Sequence, residues 1–377
     1  MKLNSKTCAA LVGMVSCAAS ASAHAAPIQV PVLFLEALAP RDTTSSERFR
    51  KEYESTIALG QNLTEKRVKE CGYTIAPGTH FYDASDSLQA REKAAAAEKN
   101  GAWLIVGPRR SNHYMLVAGG APSTPSVSIM AGSSEVSALG SLHTTLYASN
   151  EKLAKAAVLA VKSELAKKRP KYVSIVSQDC VVCRDFSETF DRHALASGMT
   201  KLGDAKIAGE SPDLTATLEL VASVKPDFVL IPNYSKVSAW VVGAIEKKIQ
   251  NLLFVGSDGW GDGKFGFMEK NPALGNASGI TLRGFPPTEV GLAQFKLGNL
   301  ALELGSKGAF CPTSGPGMAI LRAYQGISDL LCQSRPKTFG DFAAAYSATG
   351  KRHFSAVWGA NLYRLKDGNV EFVRSLP

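Results

Sequence analysis

The chain has 377 residues, 45% of them hydrophobic and 20% charged, with 42 Lys and Arg against 33 Asp and Glu and a formal charge of +9. This globular composition and length suit two domains with full hydrophobic cores, and exclude disordered and disulfide-stapled miniprotein classes. The positive excess is dispersed. Its densest spots, Lys167–Lys171 and Glu246–Gln250, fall at predicted helix ends where cations suit the helix dipole, and no basic stripe is interleaved with aromatics, so nucleic acid is not an expected partner.

The N-terminus reads as a secretory signal peptide over residues 1–25. Lys2 and Lys6 precede the apolar run Cys8–Ala23, and Ala23-His24-Ala25 gives the small-residue cleavage pattern before Ala26-Pro27. The run is too short to span a bilayer. The alternative is a lipoprotein anchored at Cys17, from the stretch Gly13–Cys17. The Ala-His-Ala site is the cleaner pattern, so the expectation is a soluble protein exported to the periplasm.

Strands and helices then alternate. Strands are predicted at 30–38, 72–84, 102–108, 125–130, 171–179, 227–233 and 251–260. Helices are predicted at 45–70, 86–101, 149–170, 183–198, 215–226 and 238–249, with Ser149 or Asn150 as the cap of the third. Beyond these, 288–304 and 316–334 read as helices, and the C-terminus as two strands joined by an Asp367-Gly368 turn. Alternation of this kind predicts an α/β fold of two doubly wound, Rossmann-like lobes with parallel sheets covered on both faces. Ligands of such sheets sit outside the carboxyl ends of the strands. The loops there are Gly107–Ser111, Met130–Ser134, Ser177–Cys183, Pro232–Ser235 and Gly256–Asp262. No internal repeat is visible.

Several short motifs are weak. Gly261–Gly266 fits G-x-G-x-x-G, but Asn271-Pro272 interrupts the helix a dinucleotide site requires. Ser149–Lys152 fits S-x-x-K, without the companion elements of penicillin-recognising enzymes. The histidines are scattered, no zinc spacing occurs, and neither a metal, a cofactor nor a catalytic group is expected. Cys180-Val181-Val182-Cys183 lies between a strand and a helix, where thiols acquire redox character, so a thiol-disulfide protein is one alternative function. A disulfide between these two is the preferred reading in an exported chain. Five cysteines follow the leader, an odd number, and Cys311 with Cys332 is a second candidate bridge.

Tyr82–Ala90, Ile105–Ser111, Val127–Glu135, Pro232–Ser235 and Gly256–Trp260, in this order and spacing, resemble the type I periplasmic solute-binding proteins of branched-chain amino-acid ABC transporters. The resemblance covers nearly all of the mature chain. It implies three interlobe crossings, near Ser149, Gly279 and Gly350, giving lobes of 26–148 with 280–350 and 149–279 with 351–377. It implies that Ser111 binds a ligand carboxylate, that Met130, Gly132 and Ser133 offer backbone groups and a hydroxyl, that Tyr234 closes from the other lobe and that Asp258 pairs with an ammonium. Trp260 beside Asp258 can wall the site or face the cation with its ring. Arg109 and Arg110 depart from the family pattern and can fork onto a carboxylate of the ligand. Gly132 stands where the family often has Thr or Ser, and the C-x-x-C replaces a segment that usually carries an aromatic contact. The implied function is a monomeric, non-enzymatic receptor that delivers an amino acid or related small zwitterion or carboxylate to an inner-membrane ABC permease. A ligand sensor of the same fold is the other alternative.

Overall fold

The computed structural model describes residues 26–38, 43–209, 212–261, 263–264, 272–293, 315–355 and 358–376. The predicted signal peptide, Cys17, Cys311, residues 294–304 of the predicted helix and part of Gly261–Gly266 lie outside the described residues.

The first sheet is built from β1 (Ile28–Leu38), β2 (Tyr73–Asp83), β3 (Leu104–Val106), β4 (Ser126–Ser128) and β5 (His143–Thr145). Its order is β2-β1-β3-β4-β5 with every pair parallel. β1 is buried on both faces from Val32 to Ala37, which is why it reads as an apolar run, interrupted only by Glu36, rather than an alternating one. Helices α1 (Thr43–Glu70), α2 (Leu88–Lys99) and α3 (Ser111–Gly120) are the connections.

The second lobe begins with α4 (Asn150–Leu165), capped by the Ser149 hydroxyl, which accepts from Lys152 N at 3.3 Å. It continues through β6 (Lys171–Ser177), α5 (Val181–Ala196), β7 (Thr200–Ile207), α6 (Thr215–Val224), β8 (Phe228–Ile231), α7 (Ser235–Glu246), β9 (Leu253–Gly256), β10 (Gly263–Lys264) and β11 (Ser278–Arg283). The chain then returns to the first lobe as α8 (Thr288–Ala293), α9 (Gly315–Ser334) and α10 (Phe339–His353), and finishes in the second as β12 (Ala360–Lys366) and β13 (Asn369–Leu376). The second sheet runs β10-β13-β12-β11-β9-β8-β6-β7, its last five strands parallel and the others antiparallel. Taken in chain order, β7-β6-β8-β9-β11 repeats the 2-1-3-4-5 order of the first sheet. The repeat absent from the sequence is therefore present in the topology.

The second crossing differs from the expectation near Gly279. β11 pairs with β9 and β12 through Arg283, so residues 280–283 belong to the second sheet and the chain leaves it at Gly284. The third crossing likewise falls after His353 rather than at Gly350, because α10 continues that far.

Each crossing carries one large aromatic ring: Tyr147, Phe285 and Trp358. Phe285 packs on Tyr147 at 4.9 Å and on Trp358 at 5.0 Å between ring centroids. These rings join the apolar cores of the two lobes into one cluster. The close approach needs a glycine at 284, where a Cβ would lie 2.5 Å from the Tyr147 ring.

The cysteines pair differently from one expectation. Cys332, at the end of α9, lies at bonding distance from Cys71 after α1, with sulfurs 2.03 Å apart. Its partner is thus not Cys311. α1 and α9 pack along each other, and the Arg67–Asp329 ion pair at 2.6 Å sits beside the link. Cys180 and Cys183 are also placed as a disulfide, with Cα atoms 5.2 Å apart.

Candidate functional site

In both lobes the strand order reverses beside the central strand, between β1 and β3 and between β6 and β8. Chain leaving the carboxyl ends of strands diverges at such a switch point and leaves a crevice. The two crevices face each other across a cavity of about 500 Å³. Arg109–Asn112 after β3, with Met130 and Gly132 after β4, line it from the first lobe. Asp179–Val182 after β6, Tyr234 after β8 and Asp258 after β9 line it from the second.

The first-lobe loops are pinned by short side chains. The Ser128 hydroxyl donates to Pro108 O at 2.6 Å and accepts from Ala131 N at 2.9 Å, so the loops after β3 and β4 are held together. The Ser111 hydroxyl accepts from Ser133 N at 3.2 Å, which leaves its own hydrogen free to donate into the cavity. Ser133 does not line the cavity. It is buried, and its hydroxyl caps the short 3-10 turn Ser134–Ala138. Gly132 reaches the cavity, with its carbonyl accepting from Asn150 N at 2.6 Å.

Glu36, at the carboxyl end of β1, was not singled out from the sequence. It is fully buried, and its carboxylate accepts from Ala37 N at 2.9 Å and Arg109 N at 3.3 Å, with Arg109 Nε 3.5 Å away. Burial pushes its pKa above 4.5, opposed by the charge of Arg109 and these amides. Arg109 also lies over the Phe49 ring at 4.5 Å. The signal available in the sequence was a lone acid in an otherwise apolar strand.

On the second lobe, Asn233 is buried and ties β6 to the loop after β8. Its amide accepts from Ser177 N at 2.7 Å and donates to Ile175 O at 3.0 Å. Tyr234 begins α7 with its side chain 57% exposed, enough to lie over a cavity occupant. Asp258 faces the cavity, but it already has partners. The Tyr147 hydroxyl, the charge of Arg283 and the backbone amide of Gly259, which itself donates to Ser257 Oγ at 3.3 Å, all act to lower its pKa. Desolvation nonetheless outweighs these and raises its pKa above 3.8.

Trp260 is not part of the cavity wall, contrary to the expectation. It is buried in the second-lobe core, its indole N–H donates to Ile231 O at 2.9 Å, and its ring lies against Gly256. The strand-end glycine is what lets the ring turn inward: a Cβ on Gly256 would fall 2.2 Å from it.

Cys180 caps α5, its sulfur accepting from Cys183 N at 3.2 Å, and it lines the cavity while Cys183 is buried behind it. One helical turn further, Asp185 bridges the lobes. It accepts from Ser134 N at 3.1 Å and from the Ser134 hydroxyl on the first lobe, and from Asn150 Nδ2 at 2.6 Å at the first crossing.

No known family profile matches the chain, and no curated protein matches it in sequence. Solved structures do. A leucine-binding protein of Thermotoga maritima superposes with a TM-score of 0.70 at 14% identity, covering 92% of this chain and 98% of that one. A branched-chain amino-acid transporter substrate-binding protein of Streptococcus pneumoniae, solved with isoleucine, gives 0.66 at 14% identity over 92% and 99%. A solute-binding protein of an ABC transporter from R. palustris, solved with benzoate, gives 0.61 at 14% identity over 93% and 96%. The chain thus has the fold of the type I periplasmic solute-binding proteins.

Proposed function

We propose that the protein is an exported solute receptor of an ABC importer, capturing an amino acid or related small zwitterion or carboxylate between its lobes. The observation that carries this is the cavity itself. It lies at the carboxyl ends of both sheets, is walled by loops pinned to their strands, and is sized for a small molecule. Ser111 with the loop at Met130–Gly132 takes the carboxylate end, Tyr234 closes over the ligand, and Asp258 faces its positive end. The fold is shared with receptors for both amino acids and benzoate, which supports the ligand class at this breadth. The leader over residues 1–25 and the two cysteine pairs fit an oxidising periplasm.

Thermal-shift screening of the purified mature protein against amino acids and small carboxylates, followed by calorimetry, tests the reading. A ligand that binds raises apparent stability by mass action. Saturating shifts and a contracted scattering profile are expected with at least one compound, and none across both classes would overturn it. A second reading, thiol-disulfide exchange, draws on the position of Cys180 in the cavity wall. Insulin reduction above background that is lost in Cys180→Ser would favour it over the receptor.

A further inference from the structure

Among the described residues, four side chains of formal charge line the cavity, and two of them are already compensated. Arg109 is paired with the buried Glu36 and stacked on Phe49. Asp258 receives the Tyr147 hydroxyl and feels Arg283. The other two are Arg110 on the first lobe and Asp179 on the second. Both are exposed, both line the cavity, and among the described residues neither side chain has a hydrogen-bond or ion-pair partner. The walls therefore carry opposite unmatched charges.

We propose that Arg110 and Asp179 set the charge selectivity of the cleft, favouring a dipolar ligand, anion toward the first lobe and cation toward the second, over a simple carboxylate. This rests on the receptor reading above and narrows it. A monoanion gains at Arg110 but is opposed by Asp179 and Asp258 on the facing wall. A zwitterion gains at both walls, its cation lying between the two carboxylates. Tyr234 lines the same cavity, and besides desolvation its phenol feels the charges of Asp258, Arg110 and Arg109. The uncharged lining, Met130, Val181 and Val182, discriminates by shape and not by charge.

The test uses the mature protein and two matched panels: the twenty L-amino acids, and the same skeletons without the amine, such as 4-methylpentanoate for leucine. Calorimetry on wild type should show at least one amino acid bound about 30-fold or more tightly than its desamino partner. Asp179→Asn should cut that preference about tenfold, weakening the amino acid while sparing or tightening its desamino partner, and Arg110→Gln should weaken both compounds about tenfold. Asp179→Ser is the second variant, and unchanged melting of the free proteins confirms that folding is not what is read. Equal binding of the two compounds by wild type, or an equal effect or none on both in Asp179→Asn, overturns the inference while leaving the receptor reading standing. Failure of wild type to bind any member of either panel overturns both.

Discussion

Removing one oxygen atom, in Tyr147→Phe, tests whether the cleft floor and the hinge are linked. The ring keeps its place against Phe285, and only the hydroxyl is lost. In the native protein that hydroxyl accepts from Gly284 N at 2.9 Å and acts on Asp258, whose pKa it lowers. Tyr147 is 3% exposed, so no water replaces the lost partner. An orphaned buried N–H costs about 1–3 kcal/mol, and a hydrogen bond to a charged group contributes about 1.5–3 kcal/mol. Asp258 retains the charge of Arg283, so the two losses should combine to about 2–4 kcal/mol at pH 7. The sign with pH is defined. Burial already raises the folded pKa of Asp258 above 3.8, and losing the Tyr147 bond raises it further. A group with a raised acid pKa holds its proton more tightly folded than unfolded. Stability therefore falls as pH climbs from the unfolded value through the folded one. The deficit of the variant should be smallest below about pH 4 and full above the folded pKa. Urea unfolding across this range measures it. A loss under about 0.5 kcal/mol at pH 7, or a deficit that does not change with pH, would refute the coupling.

Three further outcomes follow from the same contacts. Trp260→Phe should lose about 2–3 kcal/mol of stability, from the vacated core volume and the bond to Ile231 O, with ligand affinity unchanged in calorimetry; an affinity loss at native stability would return Trp260 to the binding surface. Replacing Cys71 and Cys332 together by Ser opens a link across 261 residues, and denaturant titration should record a loss of about 2–5 kcal/mol; an unchanged midpoint would mean that the link does not form in solution. Glu36→Gln should abolish a decline in stability that begins above about pH 4.5, because the folded pKa of Glu36 is raised by burial and its ionisation opposes folding; persistence of the same pH slope would assign the decline to another group.

The fold was legible at most strands and helices governed by burial, with β11, buried from Gly279 to Leu282, an exception. β1, β6, β8 and β9 are apolar runs because both faces of a central parallel strand are covered, and α4 announces itself by period and cap. Others escaped because their sequence is governed by something else. β7 is an edge strand carrying Lys201, Asp204 and Lys206, with Lys201 paired to Asp191 and Asp204, so its pattern is that of a charged loop. α10 contains Gly340 and Gly350, and the second lies against the Tyr346 ring. The cavity-lining loops were legible because small residues cluster at strand ends. Their supports were not. Glu36, Tyr147, Asn150 and Asp185 act through partners between 35 and 137 residues away, and no local spacing encodes such a pairing. The same reason explains why Cys332 was matched to a near cysteine when its partner lay 261 residues back.

Those distant pairings define how the cleft and the hinge communicate. Each lobe offers one binding loop that is tied by a hydrogen bond to a crossing. Gly132 O accepts from Asn150 N at the first crossing, and Asp258 is influenced by the Tyr147 hydroxyl, which is held by Gly284 N at the second. The three crossing rings bury against one another, so they cannot slide independently without opening apolar surface. A ligand shifts the balance between lobe arrangements only by its differential contacts with them. Here the groups that would meet it are the same groups whose backbone and carboxylate bonds fix the crossings. If the cleft binds as proposed, displacing the Gly132 loop or drawing Asp258 toward a cation would therefore act on the crossings directly, and closure would need no relay through the sheets.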